Sequence, residues 1–224
     1  MKLFITITLI VALLSCGKHS DADIENLPLH AKKLTVKLID SLGWVSIYVP
    51  DRYDTSFEWT DESDCGKPCA NEKYRFQPKD LEIFKESGFF WTGKLPVSID
   101  RFTVSHSSYI PFHEGNEAGV IFIHRYSKQS SLIKLPVGLL IDKPTVTFDT
   151  IQRINGRLFS VIVAEKYDSS ITKYLKEVLA ITTIKSNRII FGYELLRNKN
   201  DSITKNFINE TLMLIKTIRI EKGL

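Results

Sequence analysis

The sequence predicts an α+β domain, in which an antiparallel β-sheet has helices packed on it. Three observations favour this class. Runs with apolar residues at every second position recur along the chain, and this period is typical of strands with one buried face. Asn155 and Gly156 separate two such runs and have the composition of a type I′ hairpin turn. The final segment instead places apolar residues at helical spacing, so one face of a helix must cover the sheet.

The first half of the chain contains the shorter predicted strands. Alternation of apolar and polar residues predicts strands at 33–40 and 43–50. The second strand ends at Pro50, because proline lacks the N–H that a strand ladder needs. Two further runs, 56–60 and 72–77, are predicted to be short strands that flank a cysteine-containing loop.

The middle of the chain is less regular. Residues 78–87 have helical spacing but are ambiguous. Residues 88–118 mix aromatic residues with Gly, Pro and Ser, and we predict a long connection there, a kind of segment that is often functional or mobile. At 119–127 the sequence GVIFIHRYS returns to the character of a strand.

Two hairpins and a helix are predicted for the second half of the chain. The first hairpin covers 145–167 and turns at the Asn-Gly pair, and the second covers 173–197 with a polar turn near 185–188. Asp201 or Ser202 can cap the closing helix by accepting hydrogen bonds from its first N–H groups. The apolar stripe of this helix comprises Ile203, Phe207, Ile208, Thr211, Leu212 and Ile215.

Residues 1–15 have the layout of an export signal. Lys2 precedes an apolar run from Leu3 to Leu14. A helix of that length is far shorter than the hydrocarbon core of a bilayer, which is about 30 Å thick. A short cationic start followed by a short apolar stretch is typical of a secretory signal rather than of a permanent membrane span.

The end of this segment resembles the signal of bacterial lipoproteins. Leu13-Leu14-Ser15-Cys16 places two aliphatic residues and a small residue before a cysteine. The resemblance implies that the Cys16 thiol carries diacylglycerol, that the chain is cut before Cys16, and that the new amine is often acylated as well. Two or more acyl chains make a durable membrane anchor. Residues 16–32 would then be a flexible tether; the alternative is an ordinary signal peptide with an incidental Cys16.

The predicted location is therefore the envelope of a bacterium, outside the cytoplasm. Gly17 and Lys18 do not resemble the aspartate that retains some lipoproteins in the inner membrane. This difference favours the outer membrane and leaves the leaflet open.

Three cysteines are an odd number for an exported protein. If Cys16 is acylated, Cys65 and Cys69 remain as a pair in a compartment where disulfides persist. We therefore predict a local disulfide bond that contributes about 2 kcal/mol before strain is subtracted. The C-x-x-x-C spacing and the acidic residues upstream disfavour a redox pair, and a structural zinc site would need a second cysteine pair.

Three segments resemble the PsbP-like proteins, a group that includes small exported and lipid-anchored bacterial domains. They are GWVSIYVP at 43–50, KSNRIIFGYELL at 185–196 and NFINETLMLIKTIRI at 206–220. The resemblance covers about residues 33–220, which we expect to form a single domain. It implies an αβα sandwich, with an antiparallel sheet between helices and the last helix lying across the sheet. Because the members are mostly binding or assembly factors, it also implies a non-enzymatic role.

Composition and motifs argue against several function classes. Removal of residues 1–15 takes away Lys2, so 29 basic residues (30 − 1) stand against 26 acidic ones, a net charge of +3. This balance does not suit a nucleic-acid binder. The sequence contains no nucleophile elbow, zinc helix, phosphate loop or dinucleotide fingerprint, and we predict no catalytic residue, cofactor or metal. Ser105 and His106 are adjacent, but neighbours in a strand point to opposite faces.

An aromatic cluster supplies the predicted partner surface. Its members are Phe89, Phe90, Trp91, Phe102, Tyr109 and Phe112. Aromatic residues are enriched at the centres of interfaces, and burial in a core is the simpler alternative. We therefore expect a module that binds an envelope or secreted protein, as an assembly factor, an envelope chaperone or an immunity protein does. The alternative function is a carrier or sensor of a small lipid, metal or sugar ligand.

Overall fold

Two antiparallel sheets and two helices make up the part of the chain that the structure describes. This computed structural model describes residues 27–28, 30–39, 42–62, 70–85, 97–108, 118–129, 144–169, 172–185 and 187–221. The strands are β1 Ala31–Lys37, β2 Trp44–Pro50, β3 Thr55–Asp61, β4 Asn71–Gln77, β5 Ile99–Ser107, β6 Thr145–Ile154, β7 Arg157–Asp168, β8 Lys173–Ile184, β9 Asn187–Arg197 and β10 Arg219–Glu221. The helices are α1 Ala118–Gln129 and α2 Ser202–Ile215.

The larger sheet has seven strands in the order β3-β4-β5-β9-β8-β7-β6, and the smaller sheet has the order β1-β2-β10. Every pairing is antiparallel. Most neighbours in the larger sheet are also neighbours in sequence. The exception is β5, which pairs with β9, while the chain after β5 passes through α1 and enters β6 at the far edge.

Both predicted hairpin turns are confirmed. Asn155 and Gly156 have φ angles of 46° and 81°, and a type I′ turn requires positive φ at both of these positions. The β8–β9 hairpin closes at the pair Ile184 and Asn187, within the polar segment where the turn was predicted.

The second strand and the closing helix also agree with the sequence pattern. β2 buries Val45, Ile47 and Val49 on one face. Asp201 is the N-cap of α2, because its carboxylate accepts a hydrogen bond from the Thr204 N–H at 3.0 Å. The buried residues of α2 are Thr204, Phe207, Thr211, Leu214 and Ile215.

The main core lies between the larger sheet on one side and the smaller sheet with α2 on the other. Its fully buried large side chains include Ile47, Phe102, Phe159, Phe191, Tyr193 and Phe207. The Tyr193 hydroxyl of the larger sheet donates to the Tyr48 carbonyl at 3.1 Å and so joins the two layers. Within the smaller-sheet layer, the Tyr48 N–H donates to the Thr217 hydroxyl at 3.0 Å. The opposite face of the larger sheet carries α1, whose Ile123 packs on a second cluster that contains Ile162 and Ile181.

The expected αβα sandwich is wrong. The chain is a β-rich fold with two helices in the described residues. The physical reason is that β1 and β2 do not join the larger sheet. They pair with each other, and β2 also pairs with β10, a strand directly after α2 that the sequence pattern did not predict. The layer expected to be helical is therefore largely a second sheet.

The strand expected at 119–127 is also wrong, because these residues lie in α1. Four consecutive apolar residues, 120–123, suggested a strand, but they are divided between two sides of a helix. Val120 is buried and Ile123 packs against the sheet, at the i, i+3 spacing of one helical face. Neither α1 nor α2, the helices in the described part of the chain, has the length and apolar character that a membrane span requires.

The irregular middle segment contains a central strand. β5 lies between β4 and β9, so the expectation of a connection throughout 88–118 fails at 99–107. Residues 78–85 are not helical. Side chains of β4 hold this segment in place, because Gln77 donates to the carbonyls of Leu81 and Glu82 at 3.0 and 3.2 Å.

Candidate functional site

The structure describes one of the six residues of the predicted aromatic surface. Phe102 is 0% exposed, and its ring centroid lies 4.4 Å from that of Tyr193. The prediction that Phe102 meets a partner is therefore wrong, because its place on β5 directs it into the core between the two sheets. The other predicted site residues lie outside the described residues: Cys16, Cys65, Cys69, Phe89, Phe90, Trp91, Tyr109 and Phe112.

The strands that flank the cysteine loop form the expected hairpin. The last pair of β3 and β4 is Asp61 and Asn71. The connection 62–70 therefore begins and ends at directly opposed positions of one ladder. Cys65 and Cys69 lie in this connection, outside the described residues, and the disulfide bond between them stays a prediction.

A row of three charged side chains crosses the centre of the larger sheet on the side that carries α1. Arg101 on β5 is opposite Glu194 on β9, and Glu194 is opposite Glu177 on β8. Arg101 Nε donates to Glu194 Oε2. Arg101 and Glu177 are both buried, so this row is a charge system inside the protein rather than a solvated face.

The two carboxyl groups of this row have different surroundings. Burial raises the pKa of Glu177 well above its ordinary value, and the nearby charge of Glu194 raises that pKa further. The positive charge of Arg101 acts in the opposite direction on the pKa but does not offset these effects. Glu177 therefore keeps its proton to higher pH than an exposed glutamate, while Glu194 is paired with a guanidinium.

A second, partly buried ion pair joins the β2–β3 connection to β5. Arg52 donates to Asp100 from Nε at 2.8 Å and from Nη2 at 3.2 Å, and the Tyr53 hydroxyl donates at 2.7 Å. Burial alone would lower the pKa of Arg52, but the hydrogen bond and charge of Asp100 outweigh it and the pKa is raised. Burial and then the charge of Asp100 raise the pKa of Tyr53 well above its usual value. The cluster fixes the connection between the two sheets.

Cations and aromatic rings alternate on the β3–β4 hairpin. The Arg75 guanidinium lies 4.7 Å from the centroid of the Trp59 ring, and Lys73 Nζ lies 5.5 Å from it. Phe57 stacks beside Trp59 at 5.5 Å. Arg75 is buried and also donates to the Phe84 carbonyl at 2.6 Å, so these contacts stabilise an edge hairpin.

Two histidines of the described residues contact serine positions, and neither forms a catalytic pair. His106 Nδ1 lies 2.8 Å from the Ser107 carbonyl oxygen, a backbone atom. His124 Nδ1 on α1 lies 2.8 Å from Ser160 Oγ on β7. Ser160 is fully buried beneath α1, so no substrate can reach this hydroxyl, and the contact fastens the helix to the sheet.

The outward side of α1 exposes large apolar side chains. Phe122 is 71% exposed and Ile121 is 41% exposed. Val146 on β6 is 38% exposed and lies on the same side of the sheet as α1, since its partner Ala164 shares a face with Ile162. We call Ile121, Phe122 and Val146 the α1 ridge.

Sequence reasoning missed the α1 ridge because it treated 119–127 as a strand. The signal was present in the i, i+3 spacing of Val120 and Ile123, which leaves Ile121 and Phe122 on the other side of a helix. Ile121 and Phe122 are adjacent on α1, and adjoining exposed apolar side chains mark interaction surfaces more often than single exposed ones do.

No group of three or more histidine, cysteine, aspartate or glutamate side chains that could hold a metal ion occurs among the residues placed by the structure. The buried charge systems contain paired carboxylates and guanidinium groups, but the serine nearest to a histidine is inaccessible.

No protein-family model matches the chain, and no curated protein matches it. A solved structure from Bacteroides thetaiotaomicron VPI-5482, determined at 1.50 Å resolution, is similar to it with 15% sequence identity and a TM-score of 0.41. The match covers 87% of this chain and 50% of that chain. The present chain thus spans half the length of the structure it matches.

Proposed function

We propose that this chain is a lipid-anchored protein of the bacterial cell envelope that binds another protein through the α1 ridge, without catalysis. The exposed side chains of Ile121, Phe122 and Val146 are the observation that carries the binding role. A few side chains at the centre of an interface supply most of its binding energy, and aromatic anchors that fill a pocket on the partner are prominent among them. The lipoprotein-like signal ending at Cys16 supports the anchored location.

Phe122 is the expected anchor of this interface. Its aromatic side chain on α1 is 71% exposed, and the exposed Ile121 precedes it in the chain. Burial of a phenylalanine side chain against a partner contributes about 1.5–3 kcal/mol. The partner surface that fits is an apolar cleft of an envelope or secreted protein, since the ridge itself carries no charge.

A capture experiment from envelope extract tests this role. Wild-type chain and Phe122→Asp are used as baits, and Val97→Asp is the matched control, because Val97 is a 78% exposed apolar residue outside the ridge. We expect Phe122→Asp to lose a partner that wild type and Val97→Asp both retain. Identical partners for all three baits would contradict the proposed surface, and equal melting temperatures would show that the variants are folded.

A further inference from the structure

The edge of the larger sheet at β6 carries a symmetric pattern. β6 is the terminal strand of the sheet, and in the described part of the chain it pairs with β7 alone. An edge strand presents backbone N–H and C=O groups that can pair with another strand. The side chains of this edge decide which strand fits.

The regular part of β6 is centred on Ile151. The register with β7 shifts between Val146 and Phe148, and from Phe148 to Ile154 the pairing continues without a break. A strand that pairs antiparallel with its own copy places residues at equal distances from a centre opposite each other. With Ile151 as the centre, all of the regular stretch can take part.

In this register, oppositely charged side chains of the two β6 strands face each other. Asp149 faces Arg153 of the second copy, and the same pair recurs on the other side of the centre. Directly opposed residues share a face, and Asp149, Ile151 and Arg153 lie on one face because they oppose alternate residues of β7. Phe148, which is an exposed apolar residue, faces Ile154 of the second copy.

Neighbouring registers lack this match. Because opposed residues share a face, the neighbouring registers move one strand by two residues. Pairing centred on Thr150 places Asp149 opposite Ile151, and pairing centred on Gln152 places Asp149 opposite Asn155 and Arg153 opposite Ile151. Arg153 Nη1 also donates to the Gly156 carbonyl at 3.1 Å, and a guanidinium has five N–H groups with which to make further bonds.

We propose that two copies of this chain associate by antiparallel pairing of their β6 strands about Ile151. The pairing joins the two larger sheets into one continuous sheet and places both α1 helices on the same side of it. The inference uses the backbone edge and the charges of β6 and does not depend on the α1 ridge, so either proposal can fail alone.

A cysteine at the centre tests the register in the cell envelope. At a directly opposed antiparallel pair the Cα atoms are about 4.5–5.5 Å apart, within the range of about 4.4–6.8 Å that a disulfide requires. We expect Ile151→Cys to give a covalent dimer on a non-reducing gel. Gln152→Cys is the matched control, because the two copies of residue 152 are diagonal neighbours about 7–8 Å apart. A monomeric Ile151→Cys chain, like the control, would overturn the proposal.

A charge exchange provides a second readout in the same Ile151→Cys background. Asp149→Arg and Arg153→Asp each replace two attractive pairs by two repulsive ones, and we expect each to lower the dimer fraction at equilibrium by about tenfold in association constant. The double variant Asp149→Arg with Arg153→Asp restores both attractions and should recover the dimer. A double variant that dimerises no better than the single variants would show that the register is wrong, whether or not a single variant is less stable.

Discussion

Glu177 and Glu194 lie directly opposite each other on β8 and β9, and the Arg101 guanidinium pairs with Glu194. Like charges at directly opposed positions of a sheet repel each other. The arrangement avoids this repulsion because the pKa of Glu177 is raised by burial and by Glu194. Glu177 thus keeps its proton to higher pH than an exposed glutamate does, while Glu194 forms the ion pair with Arg101.

Glu177→Gln should increase stability at neutral and alkaline pH. The folded state holds the Glu177 proton to higher pH than the unfolded state, whose ordinary pKa is 4.5. Glu177 therefore costs no stability below that pH and costs increasingly more as the pH rises toward the raised folded pKa. Glutamine has nearly the same shape as glutamic acid but does not ionise, so the variant avoids this cost. Urea unfolding at pH 4 and pH 8 checks this, and we expect the variant's gain at pH 8 to exceed that at pH 4.

Glu194→Gln is the matched control for this prediction, and it should act in the opposite direction at pH 7. It leaves the buried Arg101 guanidinium without its carboxylate, which costs about 3 kcal/mol. Equal effects of the two glutamine variants on the free energy of unfolding would contradict the different roles of the two carboxyl groups.

Asp100→Ala should destabilise the fold by about 3–5 kcal/mol, because it leaves the Arg52 guanidinium and the Tyr53 hydroxyl without their acceptor in a buried site. Tyr53→Phe removes one donor and keeps the ion pair, so we expect a smaller loss of about 1–3 kcal/mol. Chemical denaturation of both variants measures the difference. A loss for Asp100→Ala no larger than that for Tyr53→Phe would show that the Arg52 pair contributes little.

Phe102→Ala should lower the free energy of unfolding by about 3–5 kcal/mol, the usual cost of removing a buried phenylalanine, since Phe102 fills the core beside Tyr193. Phe122→Ala removes the same side chain from an exposed position and should change stability by less than about 0.5 kcal/mol. Thermal unfolding compares the two. Similar melting temperatures for both variants would contradict the placement of Phe102 between the sheets.

Asp201→Ala should cost about 1 kcal/mol, because α2 loses its N-cap. Its slight burial would raise the pKa of Asp201, but the hydrogen bond from the Thr204 N–H and the charge of Arg197 outweigh this and lower it. The charge-dependent stabilisation is therefore present above the ordinary pKa of 3.8 and is lost as the pH falls through the folded pKa.

Asp201→Asn separates the contribution of the N-cap hydrogen bond from that of the negative charge. Asparagine keeps a side-chain acceptor for the Thr204 N–H, so its stability loss at pH 7 should be smaller than that of alanine. Circular dichroism melts at pH 7 and pH 3 give both comparisons. An alanine variant as stable as wild type at pH 7 would show that the cap contributes nothing measurable.

The sequence allowed prediction wherever a local rule decides the structure. The Asn155-Gly156 turn fixes the β6–β7 hairpin through two positive φ angles, and Asp201 marks the start of α2 by its cap. The register of β8 and β9 follows from their turn as well. Glu177 and Glu194 are each seven residues from the closing pair Ile184 and Asn187 (184 − 177 and 194 − 187), so their opposition follows once the closing pair is known.

The partition of strands into two sheets could not be predicted in this way, because it depends on contacts that are distant in sequence. β10 is three residues long and pairs with β2, and no local pattern distinguishes such a strand from a chain end. The sequence of α1 misled for a different reason. The apolar, β-branched run 120–123 satisfies strand propensity, and the tertiary position of Val120 and Ile123 against the sheet overrides it.

The mass of the mature chain isolated from the cell envelope tests the proposed anchored location most directly. Our account predicts a chain that begins at Cys16, carries diacylglycerol on that sulfur, and lacks the thiol hydrogens of Cys65 and Cys69 because these residues form a disulfide bond. A chain that retains residues 1–15, or one whose Cys65 and Cys69 both react with a thiol reagent without prior reduction, would contradict it.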